Sequence, residues 1–374
     1  MRSGRSNLLY FKIKERIKKD FGGLESGERI PSRVELTKKY NATRTTIDRA
    51  ISELIGEGFL YTVDGSGTYL ADRTESIDIE HTSGVTNWGV ILPNIMHDTY
   101  PGILRGIEDV ANENDINVVI CNTDNYADKQ RDYIYKLIES GVRGLIIVPA
   151  IIGKSTLEEF FELKKHDIPL VTCNRIIEGI EAPSVLSNNF YGGYLATRHL
   201  IEQGYKRIAY LSRPMYSVSL DRYQGYLGAL SEHSKGIIQE SGQKYVAFED
   251  SFEIDRPGYH SMERLLELES PPDAVFCFND AIAAGAYELL TERGVRVGED
   301  VGLVGYDNTS ICEKLSPKLT SVRFKTYEIG SSAAKLLLRL SSGEGELNRK
   351  RVILQPELVV RGSSEKAKID TYIS

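Results

Sequence analysis

Apolar residues near the start of the chain recur at spacing four. Leu9, Ile13 and Ile17, with Phe21 beyond, are separated by Lys and Arg. That pattern predicts an amphipathic helix over 8–19. Phe21-Gly22-Gly23 stops it. Ser32 with Glu35 three residues on is a capping-box pattern, which opens a short helix over 32–40. Asn41-Ala42 makes a turn, and Thr43 caps a third helix running to about residue 57. Ile47, Ala50, Ile51 and Leu54 give that helix one apolar face, and Gly58 ends it. Two β-like runs follow, Phe59–Val63 and Thr68–Leu70. Asp64-Gly65-Ser66-Gly67 between them is a hairpin signal.

Residues 71–86 are polar and lack a period, so they read as a linker. From Asn87 the pattern changes. Apolar runs at Trp88–Leu92, Ile116–Cys121, Gly144–Val148, Ile168–Cys173, Ile208–Leu211, Ala274–Phe278 and Val301–Val304 alternate with helix-length segments. Near-continuous apolar strands alternating with helices predict an α/β body of parallel sheets covered on both faces. Some 290 residues is large for one such sheet, so two lobes are expected. The division is therefore a small helical head with a hairpin over 1–70, a linker over 71–86 and a body over 87–374.

Charge sharpens this division. The 374 residues carry a net charge of -7, which by itself argues against nucleic acid. Residues 1–70 hold 13 Lys and Arg against 9 Asp and Glu, a net of +4; the remainder holds 33 against 44, a net of -11. A basic head on an acidic body can meet phosphate through one part alone. No run of eighteen uncharged apolar residues exists for a membrane span, and the basic start lacks the apolar stretch of a secretory signal. A cytoplasmic protein is expected. Cys121, Cys173, Cys277 and Cys312 lie far apart with no CxxC pair, which favours buried reduced thiols over metal ligands. No cofactor or metal is expected.

Two helices joined by a tight turn and followed by a hairpin form a winged helix-turn-helix by pattern. The second of these helices opens with Thr43-Arg44-Thr45-Thr46. Its first residues reach base edges in such motifs, and an arginine can donate two bonds to guanine. Arg33 and Arg49 add positive charge, and Gly65, Ser66 and Gly67 make a wing tip without bulk. In the body, polar residues cluster just past the strands: Tyr100, Asn122, Arg175, Asn279, Asp280 and Asp307, with Arg222 on a later helix. Asn, Asp, Arg and Tyr at strand ends can hydrogen-bond vicinal hydroxyls and stack on an apolar sugar face. Loop capping is the alternative for each. No phosphate-cradling GxGxxG or GxxxxGK[ST] is present.

The head resembles the GntR family of bacterial transcription regulators. Gly27-Glu28-Arg29-Ile30-Pro31-Ser32, Glu35-Leu36, Arg44-Thr45-Thr46-Ile47, Gly58-Phe59-Leu60 and Gly65-Ser66-Gly67-Thr68-Tyr69-Leu70 carry the likeness. It departs at Asp48, where the family usually has Arg. The body resembles the LacI-type effector-binding domain, similar to periplasmic sugar-binding proteins. The likeness runs through Gly89-Val90-Ile91-Leu92-Pro93, Arg222-Tyr223-Gln224-Gly225-Tyr226, Phe278-Asn279-Asp280 and Val304-Gly305-Tyr306-Asp307-Asn308. There, positions matching Tyr100, Arg222, Asp280 and Asp307 contact the effector.

A GntR head on a LacI-like body is the organisation of the arabinose-responsive repressors. The resemblance implies a homodimer that binds double-stranded operator DNA. It also implies release from that operator by L-arabinose or a similar pentose or deoxysugar. The competing expectation is a DNA-binding head fused to an enzyme body.

Overall fold

The computed structural model describes residues 9–23, 27–56, 59–63, 66–70, 86–154, 156–233, 245–343 and 350–366. The linker expected over 71–86 lies, but for Thr86, outside the described residues, as do Gly58 and the Asp64-Gly65 turn. The chain divides into two compact units, Met1–Val85 and Thr86–Ser374.

The first unit has three helices, α1 (Leu9–Phe21), α2 (Arg33–Tyr40) and α3 (Arg44–Gly56), and a hairpin, β1 (Leu60–Val63) and β2 (Gly67–Leu70). Three of the apolar residues of α1 and the apolar face of α3 meet in one core. Ile13, Ile17 and Phe21 pack with Leu36, Ile47, Ala50, Ile51 and Leu54. Ile30, Leu60 and Leu70 close it against the wing. Burying each of the large aliphatic side chains stabilises the unit by about 1.5–3 kcal/mol. The capping box forms as the sequence predicts. Ser32 Oγ accepts from the Glu35 N–H at 3.4 Å, and Glu35 accepts from the Ser32 N–H at 2.7 Å. Asn41, at φ 47°, ends α2 in the left-handed conformation that asparagine tolerates.

The second unit holds two six-stranded sheets. The first lobe takes β3 (Thr86–Leu92), α4 (Thr99–Asn112), β4 (Ile116–Asn122), α5 (Ala127–Glu139), β5 (Gly144–Ile147), α6 (Glu158–Lys165), β6 (Leu170–Cys173) and β7 (Ser184–Ser187). The second lobe takes α7 (Asn189–Glu202), β8 (Ile208–Ser212), α8 (Ser217–Glu232), β9 (Val246–Phe248), α9 (Tyr259–Leu266), β10 (Ala274–Cys277), α10 (Asp280–Glu292), β11 (Gly302–Tyr306), α11 (Ile311–Lys314) and β12 (Thr320–Arg323). The chain then returns for α12 (Thr326–Ser341) and β13 (Arg351–Leu354) in the first lobe, and ends its described part through β14 (Glu357–Val359) in the second. The sheet orders are β13-β7-β6-β5-β3-β4 and β14-β12-β11-β10-β8-β9. Every pair is parallel except β12 with β14. Three crossings therefore join the lobes, after β7, β12 and β13.

Both faces of the first sheet are covered, which explains its unbroken apolar strands. On β3, Val90 and Leu92 pack with Ile103 and Ile107 of α4, while Ile91 packs with Ile134 and Leu137 of α5. Helices α4 and α12 touch backbone to backbone. A Cβ on Gly106 would lie 2.2 Å from the Tyr327 carbonyl oxygen. All four cysteines are buried, and burial pushes the thiols of Cys173 and Cys312 up to about 12.

Candidate DNA-reading head and ligand cleft

Helix α3 begins where Thr43 caps it. Thr43 Oγ1 lies 2.7 Å from Thr46 Oγ1 and accepts from the Thr46 N–H at 3.4 Å, so these two hydroxyls are engaged with each other. Arg44 and Thr45 stand exposed on the first turn. Arg33 is pinned. Its Nε lies 2.8 Å from Asp48 Oδ1, and its Nη1 donates to Thr68 Oγ1 of the wing at 3.2 Å. Arg49 stacks its guanidinium over the Tyr10 ring, 4.1 Å from the centroid. On the wing, Ser66 pairs its hydroxyl with that of Tyr69, and Gly67 lies against the Arg29 side chain. Gly65 lies outside the described residues. One feature escaped sequence reasoning: Tyr61 and Tyr69 stack on the wing at 5.5 Å between centroids. They stand directly opposite each other in the hairpin, and the register set by the turn was the available signal.

Between the lobes lies a cleft of about 290 Å³, walled by the loops that follow the strand C-termini. This is at the low end of the roughly 300–1,000 Å³ of small-molecule pockets. Tyr100, Arg175, Arg222, Asn279 and Asp307 line it. Arg175, after β6, is buried. Its Nη1 donates to Asn125 Oδ1 at 2.8 Å and the Pro149 carbonyl at 2.7 Å, and its Nη2 donates to Tyr100 Oη at 3.2 Å. Arg222, from α8, is held on every side. Its Nε donates to Asn189 Oδ1 at 3.0 Å, its Nη1 donates to the Phe278 carbonyl, and its Nη2 lies 3.4 Å from Asp307 Oδ1. The guanidinium plane stacks 3.4 Å from the Tyr306 centroid and 4.5 Å from that of Phe278.

Asp307 sits at φ 99°, a conformation that side chains other than glycine rarely adopt. Such strain concentrates at functional sites. Burial pushes its carboxyl upward, and Arg222 pulls it back toward the ionised form.

Asn122 and Asp280 stand behind the lining. Asn122 accepts from the Ile95 N–H at 2.9 Å and donates to Asp124 at 2.7 Å, fixing the loop after β3. Asp280 is buried and accepts from the Thr309 N–H at 2.6 Å, the Thr309 hydroxyl at 3.0 Å and the Ser321 hydroxyl at 2.6 Å. It thereby holds the loop that presents Asp307. Asn279 caps α10 by accepting from the Ile282 N–H at 3.0 Å, and its side chain still borders the cleft.

Sequence reasoning did not single out His97, Tyr216, Phe252, Phe278, Phe324 or Arg213 as ligand-facing. Arg213 follows β8 as Arg175 follows β6, so the strand-end rule reaches it. The aromatic residues read as core. Tyr216 meets Phe252 and Phe278 edge to face at 5.8 and 6.0 Å. An apolar wall of aromatic edges beside arginine and carboxylate is suited to a polyol: hydroxyls bond the polar groups while a C–H face lies on the rings. Among the described residues, no group of His, Cys, Asp and Glu is arranged to hold a metal, and no helix is long and apolar enough to cross a membrane.

A winged helix-turn-helix unit and a two-lobed ligand-binding unit on one chain define a ligand-responsive DNA-binding regulator. The comparisons agree. Residues 6–70 match the model for bacterial regulatory proteins of the gntR family, and residues 197–364 match that for a periplasmic binding protein-like domain. The chain is 27% identical over 347 residues to an arabinose metabolism transcriptional repressor of Geobacillus stearothermophilus, spanning 92% of this chain and 94% of that protein. It is 33% identical over 279 residues to the HTH-type transcriptional repressor PurR of Vibrio atlanticus, covering 74% of this chain and 80% of that one. A solved structure of a LacI family transcriptional regulator from Enterococcus faecium with bound ribose matches 76% of this chain and 100% of that chain, with 28% identity and a TM-score of 0.64. The chain belongs to the bacterial transcriptional regulators that join a GntR-type winged-helix head to a LacI-like, periplasmic-binding-protein-like body. It is a regulator; the enzyme-body alternative finds no support among these relatives.

Proposed function

We propose that this protein is a homodimeric, cytoplasmic repressor of carbohydrate-utilisation genes, released from its operator by a small neutral sugar, with L-arabinose first among pentoses and deoxysugars. The head over 1–70 reads the operator, 71–86 is the linker, and 87–374 binds sugar and pairs the subunits. The Arg222–Asp307 pair beside the Phe278 ring carries the ligand reading, because it offers charged donor and acceptor atoms next to an aromatic wall. Two relatives support a pentose: one is named for arabinose metabolism and the other holds ribose. Sugar favours one arrangement of the lobes, and the head spacing of the dimer follows it.

A thermal-shift panel of L-arabinose, other pentoses, hexoses and deoxysugars tests the ligand, since a native-state ligand raises the melting temperature. A gel-shift titration with the same sugar then reads the sign. Sugar that tightens the operator complex overturns the inducer reading, and a panel with no shift overturns the sugar reading.

A further inference from the structure

The outer face of α3 carries an acid among the groups that meet DNA. Asp48 follows Arg44 by one helical turn. Its Oδ2 lies 3.9 Å from Arg44 Nε, and its Oδ1 lies 2.8 Å from Arg33 Nε. The Asp48 side chain is 43% exposed and that of Arg44 76% exposed; Asp48 Oδ1 is buried, which leaves Oδ2 as the oxygen that can meet a base. Arg33 reaches on to Thr68 of the wing. One carboxylate thus sits between guanidinium groups from two helices, and one of those is tied to the hairpin.

A carboxylate is costly to place against a phosphate backbone, where it repels and offers no donor. In the major groove it accepts only. Guanine and thymine show it only acceptors, and adenine sets its N6 amino donor beside the N7 acceptor, whereas cytosine shows it the N4 amino donor alone. Arg44 is the reverse: it donates only, and it suits guanine. The two side chains stand one turn, about 5.4 Å, apart along the helix.

We propose that Asp48 is a specificity-determining residue of the head: it selects cytosine next to the guanine read by Arg44, and it holds Arg33 against the wing. The proposal rests on α3 being the helix that enters the groove. Asp48 also removes positive charge from the reading face, so sequence-independent attraction to DNA is weak.

The test is selection of binding sites from a randomised duplex library by the full-length protein, alongside Asp48→Ala, Asp48→Asn and Arg44→Ala. Thermal melting of each variant checks folding. The unaltered protein is expected to enrich a guanine with a cytosine at a neighbouring base pair. Asp48→Ala is expected to lose the cytosine preference by about 5- to 30-fold while keeping the guanine. It should also bind unrelated duplex more tightly, with a steeper salt dependence. Asp48→Asn, able to donate and accept, should broaden the choice at that position. Arg44→Ala should lose the guanine. An Asp48→Ala protein with unchanged preference at every position, or one weakened equally on all sequences, overturns the proposal and leaves Asp48 as a clamp on Arg33. If the unaltered protein enriches no sequence, the groove-helix reading fails first.

Discussion

Asp98 of the first lobe accepts a 2.8 Å hydrogen bond from the backbone N–H of Ser310 in the second. The bond joins the two lobes, and Tyr126 donating to Glu253, which borders the cleft, joins them at another point. Both contacts exist only with the lobes drawn together, so they favour the arrangement in which the cleft is enclosed. Removing Asp98 by substitution with Ala should weaken sugar affinity about fivefold, an exposed bond of this kind contributing about 1 kcal/mol. Isothermal calorimetry reads it. The Ser310 bonds hold the Asp98 carboxyl below its usual range. The latch is therefore complete above the unfolded Asp value and lost only as pH falls through the lower folded one. The Asp98→Ala effect should be the same at pH 5 and at pH 8.

Arg44 and Asp307 belong to separate units. Arg44→Ala should weaken specific operator binding by about 5- to 150-fold, the loss of one bidentate base contact, with sugar affinity unchanged. Asp307→Asn should keep operator binding and lower sugar affinity at least about tenfold, since a hydrogen bond to a charged group contributes about 1.5–3 kcal/mol. Gel shift and calorimetry on both variants check the pair. Equal damage to both activities by either change would refute the division.

Asp280 makes stability depend on pH. Burial, reinforced by the nearby Asp307, raises its carboxyl to about 6. Its folded value lies above its unfolded one, so the folded state binds more protons between about pH 4 and 6. The contribution of this group to stability therefore falls as pH rises across that window and is flat above it. The stability difference between the protein and Asp280→Asn, measured by denaturant unfolding, should shift in favour of the unaltered protein as pH drops from 7 to 5. A pH-independent difference would contradict this.

Gly106 is where α4 and α12 meet without side chains between them. On Gly106→Ala, a methyl would stand 2.2 Å from the Tyr327 oxygen and 2.7 Å from the Ser331 nitrogen, both backbone atoms that cannot swing aside. Forcing the helices apart should cost about 1–3 kcal/mol, read as a lowered melting temperature.

The head was legible almost residue by residue. Its three helices, its capping box and its hairpin all rest on local signals: apolar spacing, caps and turns. The seven strands read from the body all appear, as β3, β4, β5, β6, β8, β10 and β11. The others were missed. β9 and β14 are only three residues long, β7 and β12 mix serine and threonine with few apolar residues, and β13 alternates exposed with partly buried positions because it lies at a sheet edge. No local pattern announces an edge strand supplied from the far end of the chain. The strand-end rule brought Tyr100, Arg175, Asn279 and Asp307 to the cleft, and Arg222 reaches it from within α8. It did not distinguish the lining from its support, because Asn122 and Asp280 carry the same residue types one layer back. That difference depends on where neighbouring loops place their N–H groups, which tertiary structure decides.

The three crossings between lobes bear on how the protein is made. The sixth strand of each sheet, β13 and β14, comes from Arg351–Val359. A ribosome that has produced the first 350 residues has delivered all of the cleft-lining side chains, yet both sheets still lack an edge. At roughly 5–20 residues per second, the two open edges are completed within seconds of one another. A chain broken off before that point therefore leaves β7 and β12, largely buried inside the finished sheets, as the exposed edges, which marks it for aggregation or removal before it can occupy an operator.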